Sequence, residues 1–237
     1  MKQWLDAAIE RGAVPVLTGQ NGDMDTIGSA IALAAIHPSL LACGLHLGRV
    51  AKRLVEEMKA PFRKIATHGT VFPDQLGGII IVDAAAPSQV GIDLPDVPRL
   101  IIDHHATNGW KLRDGDYMMQ WDVRATTQMV AAYMFQHAKE ALSSPVRKML
   151  LAGMITDTGR YKHADQSSFA ITSKLLEDSD FDYAEFCEYI ERETTSPSER
   201  GSLLRGLGRT KHHDAGDWSL VTTHAGTLEG RLAAMLL

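Results

Sequence analysis

Residues 79–86 read IIIVDAAA. Four β-branched residues follow one another with nothing polar between them, and an acid ends the run. A half-buried strand alternates apolar and polar side chains. A short unbroken run bounded by turn-forming residues fits a strand covered on both faces, as in a parallel sheet. A second run of the same form, apolar and then acidic, lies at 100–103 (LIID), and further strand-length apolar runs occupy 14–18 and 41–47. Helical patterns separate them, at 27–36 and at 50–59 ahead of Pro61. Strand–helix alternation predicts an α/β domain, with a parallel sheet of about five strands and helices on both faces.

Beyond Ala125 the strand signal fades. Helices are expected over 125–142, 145–158, 167–177, 183–192 and 198–209, the last preceded by Ser196-Pro197 as N-cap and first helical residue. The sequence near 211 (KHHD) suggests a solvated turn, 218–223 a strand, and 228–237 an amphipathic helix ending on an apolar AAMLL. The expected organisation is a first domain over 1–195. A linker helix and the start of a truncated second domain are expected over 196–237.

The chain has 237 residues, 45% of them hydrophobic and 22% charged, with a formal net charge of -5. Such a chain has no global basic field to attract long nucleic acid or a membrane surface. No run reaches the ~18 apolar residues of a membrane span. Two cysteines, Cys43 and Cys187, make neither a metal motif nor a disulfide framework, which fits a reducing cytoplasm.

Reactive groups of an open parallel sheet collect at the carboxyl ends of its strands. Three acidic clusters fall there: GDMDTIGS with Asp23 and Asp25, IIIVDAAA with Asp83, and LIIDHH with Asp103, His104 and His105. A fourth, GMITDTGRY, puts Asp157 near a helix C-terminus, where the helix dipole opposes its charge. Singly, each acid reads as a turn or cap residue. Together they describe a pocket whose carboxylates repel one another unless cations neutralise them. Carboxylates mixed with an imidazole suit Mn²⁺, and Mg²⁺ as well. Adjacent histidines diverge, so one can ligate a cation while the other meets a phosphate, with Asp103 orienting an imidazole from behind.

These four segments resemble, in order, the motifs of the DHH phosphoesterase superfamily, from about residue 14 to 192, with the DHH triplet intact at 103–105. The superfamily includes RecJ nucleases, nanoRNase/pAp phosphatases, cyclic-di-AMP phosphodiesterases and family II inorganic pyrophosphatases. The resemblance implies a two-cation Mn²⁺ centre. Asp23 would serve the first ion, Asp25, His104 and Asp157 the second, and Asp83 would bridge them. His105 would contact the substrate phosphate, with Asp103 behind it. Arg124, Arg160 and Lys162 are candidates for an anionic substrate, as is the helix N-terminus at Ala125-Thr126-Thr127.

The first motif departs from the family pattern. A histidine usually stands four residues before the first aspartate and a proline just before it; here those positions are Gly19 and Gly22. Asn21 supplies only a neutral oxygen, so the first ion is expected to bind weakly. The glycine-rich motif of the family's substrate domain and the basic cluster of family II pyrophosphatases are both absent. The expected function is metal-dependent hydrolysis of a phosphate ester of a small nucleotide or short oligonucleotide. The alternative is a degenerate member that binds without turnover, with pyrophosphatase activity less expected. The sequence leaves the oligomeric state open.

Overall fold

The run at 79–82 is strand β4 (Ile79–Val82), and all four of its side chains are buried. Each contributes ~1.5–3 kcal/mol by leaving water. It sits inside a six-stranded, wholly parallel sheet with β1 (Val14–Thr18), β2 (Leu40–Gly44), β3 (Arg63–Lys64), β5 (Arg99–Asp103) and β6 (Tyr117–Gln120). The order is β3-β2-β1-β4-β5-β6. The chain first builds outward from β1 and then returns to build the other way from β4. The connections leaving β1 and β4 therefore diverge, and the crevice between them is the usual ligand position of a doubly wound sheet.

This computed structural model describes residues 1–177, 179–192 and 196–236. Helices α2 (Met24–Ala34), α3 (Arg49–Glu57), α4 (Thr126–His137), α5 (Ser144–Asp157) and α6 (Gln166–Leu176) follow the expected order. Helix α1 (Lys2–Arg11), β3 and β6 were not expected. The segment expected as one helix over 125–142 ends at His137 and continues as a 3-10 turn, Lys139–Ala141. Helix α2 packs on β1 and β2, and α4 meets β5. The other face, with Leu17, Ile79, Ile81 and Ile101, is covered by connections, among them Phe72, Val90 and Trp110.

Helices α2 and α5 run antiparallel at close range, because glycines face backbone. A Cβ on Gly28 would stand 2.5 Å from the Met149 carbonyl oxygen, and one on Gly153 would stand 3.2 Å from Asp25 Cα. This contact brings the first turn of α2 against the last turn of α5.

The chain forms two compact units, Met1–Phe186 and Cys187–Leu237. The division falls within α7 (Tyr183–Glu191). The boundary expected at 195/196 touches residues 193–195, which lie outside the described residues, as does Leu237 at the end of the expected last helix. The second unit holds α8 (Pro197–Gly208), β7 (Lys211–Ala215), β8 (Trp218–Thr222) and α9 (Glu229–Leu236). Ser196 caps α8 in a reciprocal box with Glu199, as the Ser-Pro pair predicts. The KHHD stretch is strand, not turn. It pairs antiparallel with β8, and Gly216 (φ 66) with Asp217 makes the reversal.

Candidate metal centre

The loop after β1 starts α2 with Asp23 as N-cap, its Oδ1 accepting from the Thr26 amide at 3.1 Å. Asp25 follows in the first helical turn. The Thr26 hydroxyl accepts from the Gly19 amide at 2.8 Å and donates to the Val82 carbonyl at 3.0 Å, tying this loop to the end of β4. Asp83 is the residue after β4, at a φ of 56°. That left-handed conformation is uncommon, although aspartate tolerates it better than most residues. Asp103 ends β5 and His104 and His105 follow it; Asp157 is the last residue of α5.

Four of these side chains converge. His104 Nε2 lies 3.4 Å from Asp157 Oδ2, 3.6 Å from Asp83 Oδ1 and 4.0 Å from Asp25 Oδ2. The longer two of these separations exceed hydrogen-bonding range, and none is a good hydrogen bond. Two ligands of one small divalent ion, each bonded at ~2.0–2.2 Å, can stand up to ~4.2 Å apart, so each separation fits a pair of ligands; the ligand atoms lie within 4.8 Å of one another in two sets, Asp25 with His104 and Asp157, and Asp83 with His104 and His105. The other nitrogen of His104, Nδ1, faces the Val123 carbonyl at 3.4 Å. A proton assigned to Nδ1 satisfies that oxygen and leaves the Nε2 lone pair facing the carboxylates.

His105 is oriented differently. Its Nδ1 is 2.7 Å from Asp103 Oδ1, and Asp103 is fully buried. Nδ1–H donates to that carboxylate, so although Nδ1 is also 3.8 Å from Asp83 Oδ1, it is not available to a cation. The ring is half-exposed and is also held through its backbone, since Gln120 donates to the His105 carbonyl.

Burial and crowding raise the proton affinity of the carboxylates. Asp83 is pushed well above the ordinary range by burial first, then by the charges of Asp25, Asp23, Asp157 and Asp103. Asp157 rises to about 7, from burial and from Asp25 and Asp23. Burial also raises Asp25, opposed by hydrogen bonds from Thr127 and Thr126 and by His104. A cation in the pocket would relieve this strain.

The N-terminus of α4 is not open to a phosphate, contrary to the expectation from its sequence. Its N-cap is Ala125, which has no side-chain acceptor, and the orphan amides are taken by Asp25. Thr126 N donates to Asp25 Oδ2 at 2.6 Å, and Thr127 N and Oγ1 donate to Asp25 Oδ1 at 2.8 and 2.5 Å. Thr126 and Thr127 thus hold an internal carboxylate rather than a substrate phosphate, a role that the sequence did not show. The signal was a helix start without its own cap.

Asp23 lies beside the group rather than in it. Its second oxygen, Oδ2, accepts from Asn21 Nδ2 at 2.5 Å. Next to it a cavity of ≈180 Å³ is lined by Gly19, Gln20, Asn21, Asp83, Gln89 and His105. Gly19 cannot easily carry a side chain, because a Cβ there would stand 2.9 Å from the Asp83 carbonyl oxygen and 3.1 Å from Asn21 Oδ1. Gly22 has φ 59 and faces the His46 carbonyl, which excludes proline. Among the described residues, His37, His46, His68 and His163 join no group able to hold an ion.

Of the candidate cations, Arg124 pairs with Asp165, Nε to Oδ2 at 3.7 Å, and Asp165 also caps α6. Arg160 and Lys162 are exposed in the turn after Asp157. Gly159, Arg160 and Tyr161 there are all left-handed (φ 57, 59 and 65), held by Tyr161 N donating to Thr158 Oγ1 at 2.9 Å.

The family model described as DHH family, N-terminal domain, matches residues 13–154. The uncharacterised protein MJ0988 of Methanocaldococcus jannaschii is 21% identical, over 97% of this chain and 70% of that protein. Two solved structures share the fold. A Methanococcus jannaschii protein described as a candidate family II inorganic pyrophosphatase has a TM-score of 0.64 at 18% identity, covering 94% of this chain and 75% of its own. An exopolyphosphatase-related protein from Bacteroides fragilis has a TM-score of 0.70 at 16% identity, covering 89% of this chain and 64% of its own.

Proposed function

The chain belongs to the DHH family, and from that membership and the pocket around His104 we propose that it hydrolyses a phosphate ester of a small nucleotide or short oligonucleotide with the aid of Mn²⁺. The observation that carries the proposal is one imidazole nitrogen facing three carboxylates at 3.4–4.0 Å. Asp25, Asp83, His104 and Asp157 would hold one ion, with Asp83 shared towards a weaker position near Asp23; Mg²⁺ also suits this donor set. Bound there, the ions supply neutralisation of phosphate charge and a water acidic enough to attack near neutral pH. Asp103 holds the His105 ring so that its free nitrogen meets a phosphate oxygen. Lys162 and Arg160 receive the rest of the anion, and Arg124, tied to Asp165, stands at the rim.

The net charge of -5 supports a short substrate over a long strand, which needs a basic groove with stacking aromatics. The soluble-type composition and two unpaired cysteines support a cytoplasmic setting. Among the described residues, no helix is long and apolar enough to cross a membrane. The pyrophosphatase- and exopolyphosphatase-related neighbours support a second reading, cleavage of a phosphoanhydride by the same cation chemistry.

The test is a Mn²⁺-supplemented hydrolysis screen over pAp, short oligoribonucleotides, cyclic dinucleotides, pyrophosphate and polyphosphate, run beside Mn²⁺ titration calorimetry. Turnover of a nucleotide ester is the expected result. Turnover of pyrophosphate or polyphosphate alone selects the second reading. Mn²⁺ uptake without turnover of any substrate indicates a binding protein, and no Mn²⁺ uptake overturns the proposal.

A further inference from the structure

We propose that Thr127, assisted by Thr126, is a positioning residue of the metal centre: it fixes the Asp25 carboxylate, and so sets how that ligand meets a cation. The inference rests on the metal-centre reading above. Both oxygens of Asp25 are already acceptors, Oδ2 from the Thr126 amide at 2.6 Å and Oδ1 from the Thr127 amide and hydroxyl at 2.8 and 2.5 Å. A carboxylate held by three donors from one helix end cannot rotate about its last bond without breaking them. Oδ1 is saturated by two of them, and the one lone pair left on Oδ2, the oxygen nearer His104, stays available.

A second observation explains why the Thr127 hydroxyl points this way. Its methyl, Cγ2, fills a notch left by two glycines: a Cβ on Gly153 would stand 2.5 Å from it, and one on Gly28 would stand 3.2 Å away. Threonine's branched Cβ has few rotamers. With the methyl seated between α2 and α5, the hydroxyl is left facing Asp25. Thr127 is fully buried, so no solvent offers it another partner. Thr126 extends the arrangement to the neighbouring ligand, because its hydroxyl donates to Asp83 Oδ1 at 3.2 Å while its amide holds Asp25. One dipeptide therefore holds two ligands that come from different elements, the first turn of α2 and the end of β4.

The two halves of the side chain can be tested separately. Thr127→Val keeps the methyl-filled notch and removes the hydroxyl, whereas Thr127→Ser keeps the hydroxyl and empties the notch. Mn²⁺ dissociation constants are measured by calorimetry on the full chain, with thermal unfolding in chelator as the folding control. Loss of an outer partner of a metal ligand costs ~10–100-fold in affinity. The expected result is a rise of that size for Thr127→Val and recovery of most of it in Thr127→Ser. A purely structural threonine would give the opposite pattern, with Val close to wild type and Ser impaired. Val binding Mn²⁺ within about twofold of wild type, with RT ln 2 only ~0.4 kcal/mol, overturns the inference and leaves the metal centre standing. Wild-type chain that takes up no Mn²⁺ overturns the metal centre and this inference with it. If Thr127→Val does not fold, Thr126→Val tests the same dipeptide through Asp83, and unchanged Mn²⁺ affinity there overturns it.

Discussion

Replacing Asp157 by asparagine should stabilise the metal-free protein and destabilise it relative to wild type once Mn²⁺ is present. Ligand oxygens of Asp25 and Asp157 lie within 4.8 Å of one another. At an effective dielectric of ~20, two full charges at that distance repel by ~3 kcal/mol. The proton affinity of Asp157 gives a second route to the size. Its carboxyl is raised from 3.8 to about 7, and at ~1.4 kcal/mol per unit that is an upper bound of ~4 kcal/mol. The side chain is 31% exposed, and solvent screening reduces the figure to ~2 kcal/mol. A carboxyl whose folded-state pKa is raised lends stability in acid and loses it as pH climbs from the unfolded value through about 7. Asparagine resembles the protonated acid at every pH. In chelator its advantage over wild type should therefore grow with pH and level off above neutrality. At pH 8 it should reach ~2 kcal/mol, or ~4–8 °C in Tm for a chain of this size. Mn²⁺ at a hundred times its dissociation constant adds ~2.7 kcal/mol to wild type. The variant, lacking a charged ligand, should gain much less. The assay is thermal denaturation at pH 5 and pH 8, with chelator and with Mn²⁺. An Asp157→Asn protein that melts below wild type in chelator at pH 8, or that shows the same Mn²⁺-induced shift, would refute the crowded-carboxylate account.

Three further outcomes follow from the same geometry. Gly153→Ala should be destabilising by ~1–3 kcal/mol in urea unfolding, as overpacking usually is, despite the ~1 kcal/mol gain in helix propensity, because the new Cβ meets Thr127 at 2.5 Å; a more stable variant would show that α5 can move away from the start of α4 freely. Gly19→His should lower Tm without raising Mn²⁺ affinity in calorimetry, since its Cβ presses on the Asp83 carbonyl at 2.9 Å; tighter Mn²⁺ binding would mean that the loop yields and a histidine ligand can be restored. Asp103→Asn should slow hydrolysis by ~10–100-fold, the scale of losing a group that orients a site imidazole, while leaving Mn²⁺ affinity nearly unchanged, because Asp103 contacts His105 and not the His104 cluster; an equal loss in both measurements would place Asp103 among the metal ligands.

The fold was legible where burial leaves a mark. β4 and β5 are covered on both faces, and their unbroken apolar runs announce it. The edge strands leave none: β3 is two exposed polar residues, and β6 begins on an exposed tyrosine and buries little else. The β7 stretch was misread for the same reason, since every residue of it is exposed and polarity alone does not separate a solvated strand from a turn. In the candidate site, the convergence of Asp25, Asp83, His104 and Asp157 was legible because acidic clusters just after buried strands and at a helix C-terminus have few structural reasons to be there. The role of Thr126 and Thr127 was not, because their partner Asp25 is 101 and 102 residues distant in sequence. Ala125 showed that α4 lacked a cap of its own, but an internal carboxylate and an external phosphate satisfy the same amides.

That ambiguity bears on how the pocket is built. An N-terminal helix end stabilises one nearby anion by partial charge and free amides. Here it is spent on Asp25, the most buried of the three acids gathered around His104. Asp83 and Asp157 have no comparable set of donors. The three acids are therefore unequal before any cation arrives: one is held immobile by α4, and two lack such a set of donors. A pocket arranged in this way has a fixed first ligand and a deficit of positive charge that a divalent ion can fill. The close approach of α2 and α5 through Gly28 and Gly153 decides where that deficit lies, because it places Asp25 opposite Asp157 through backbone contact rather than through side chains that could swing apart. The placement of the gathered acids thus originates in glycines and threonines around them: Gly28 and Gly153 set the helix approach, and Thr126 and Thr127 hold Asp25.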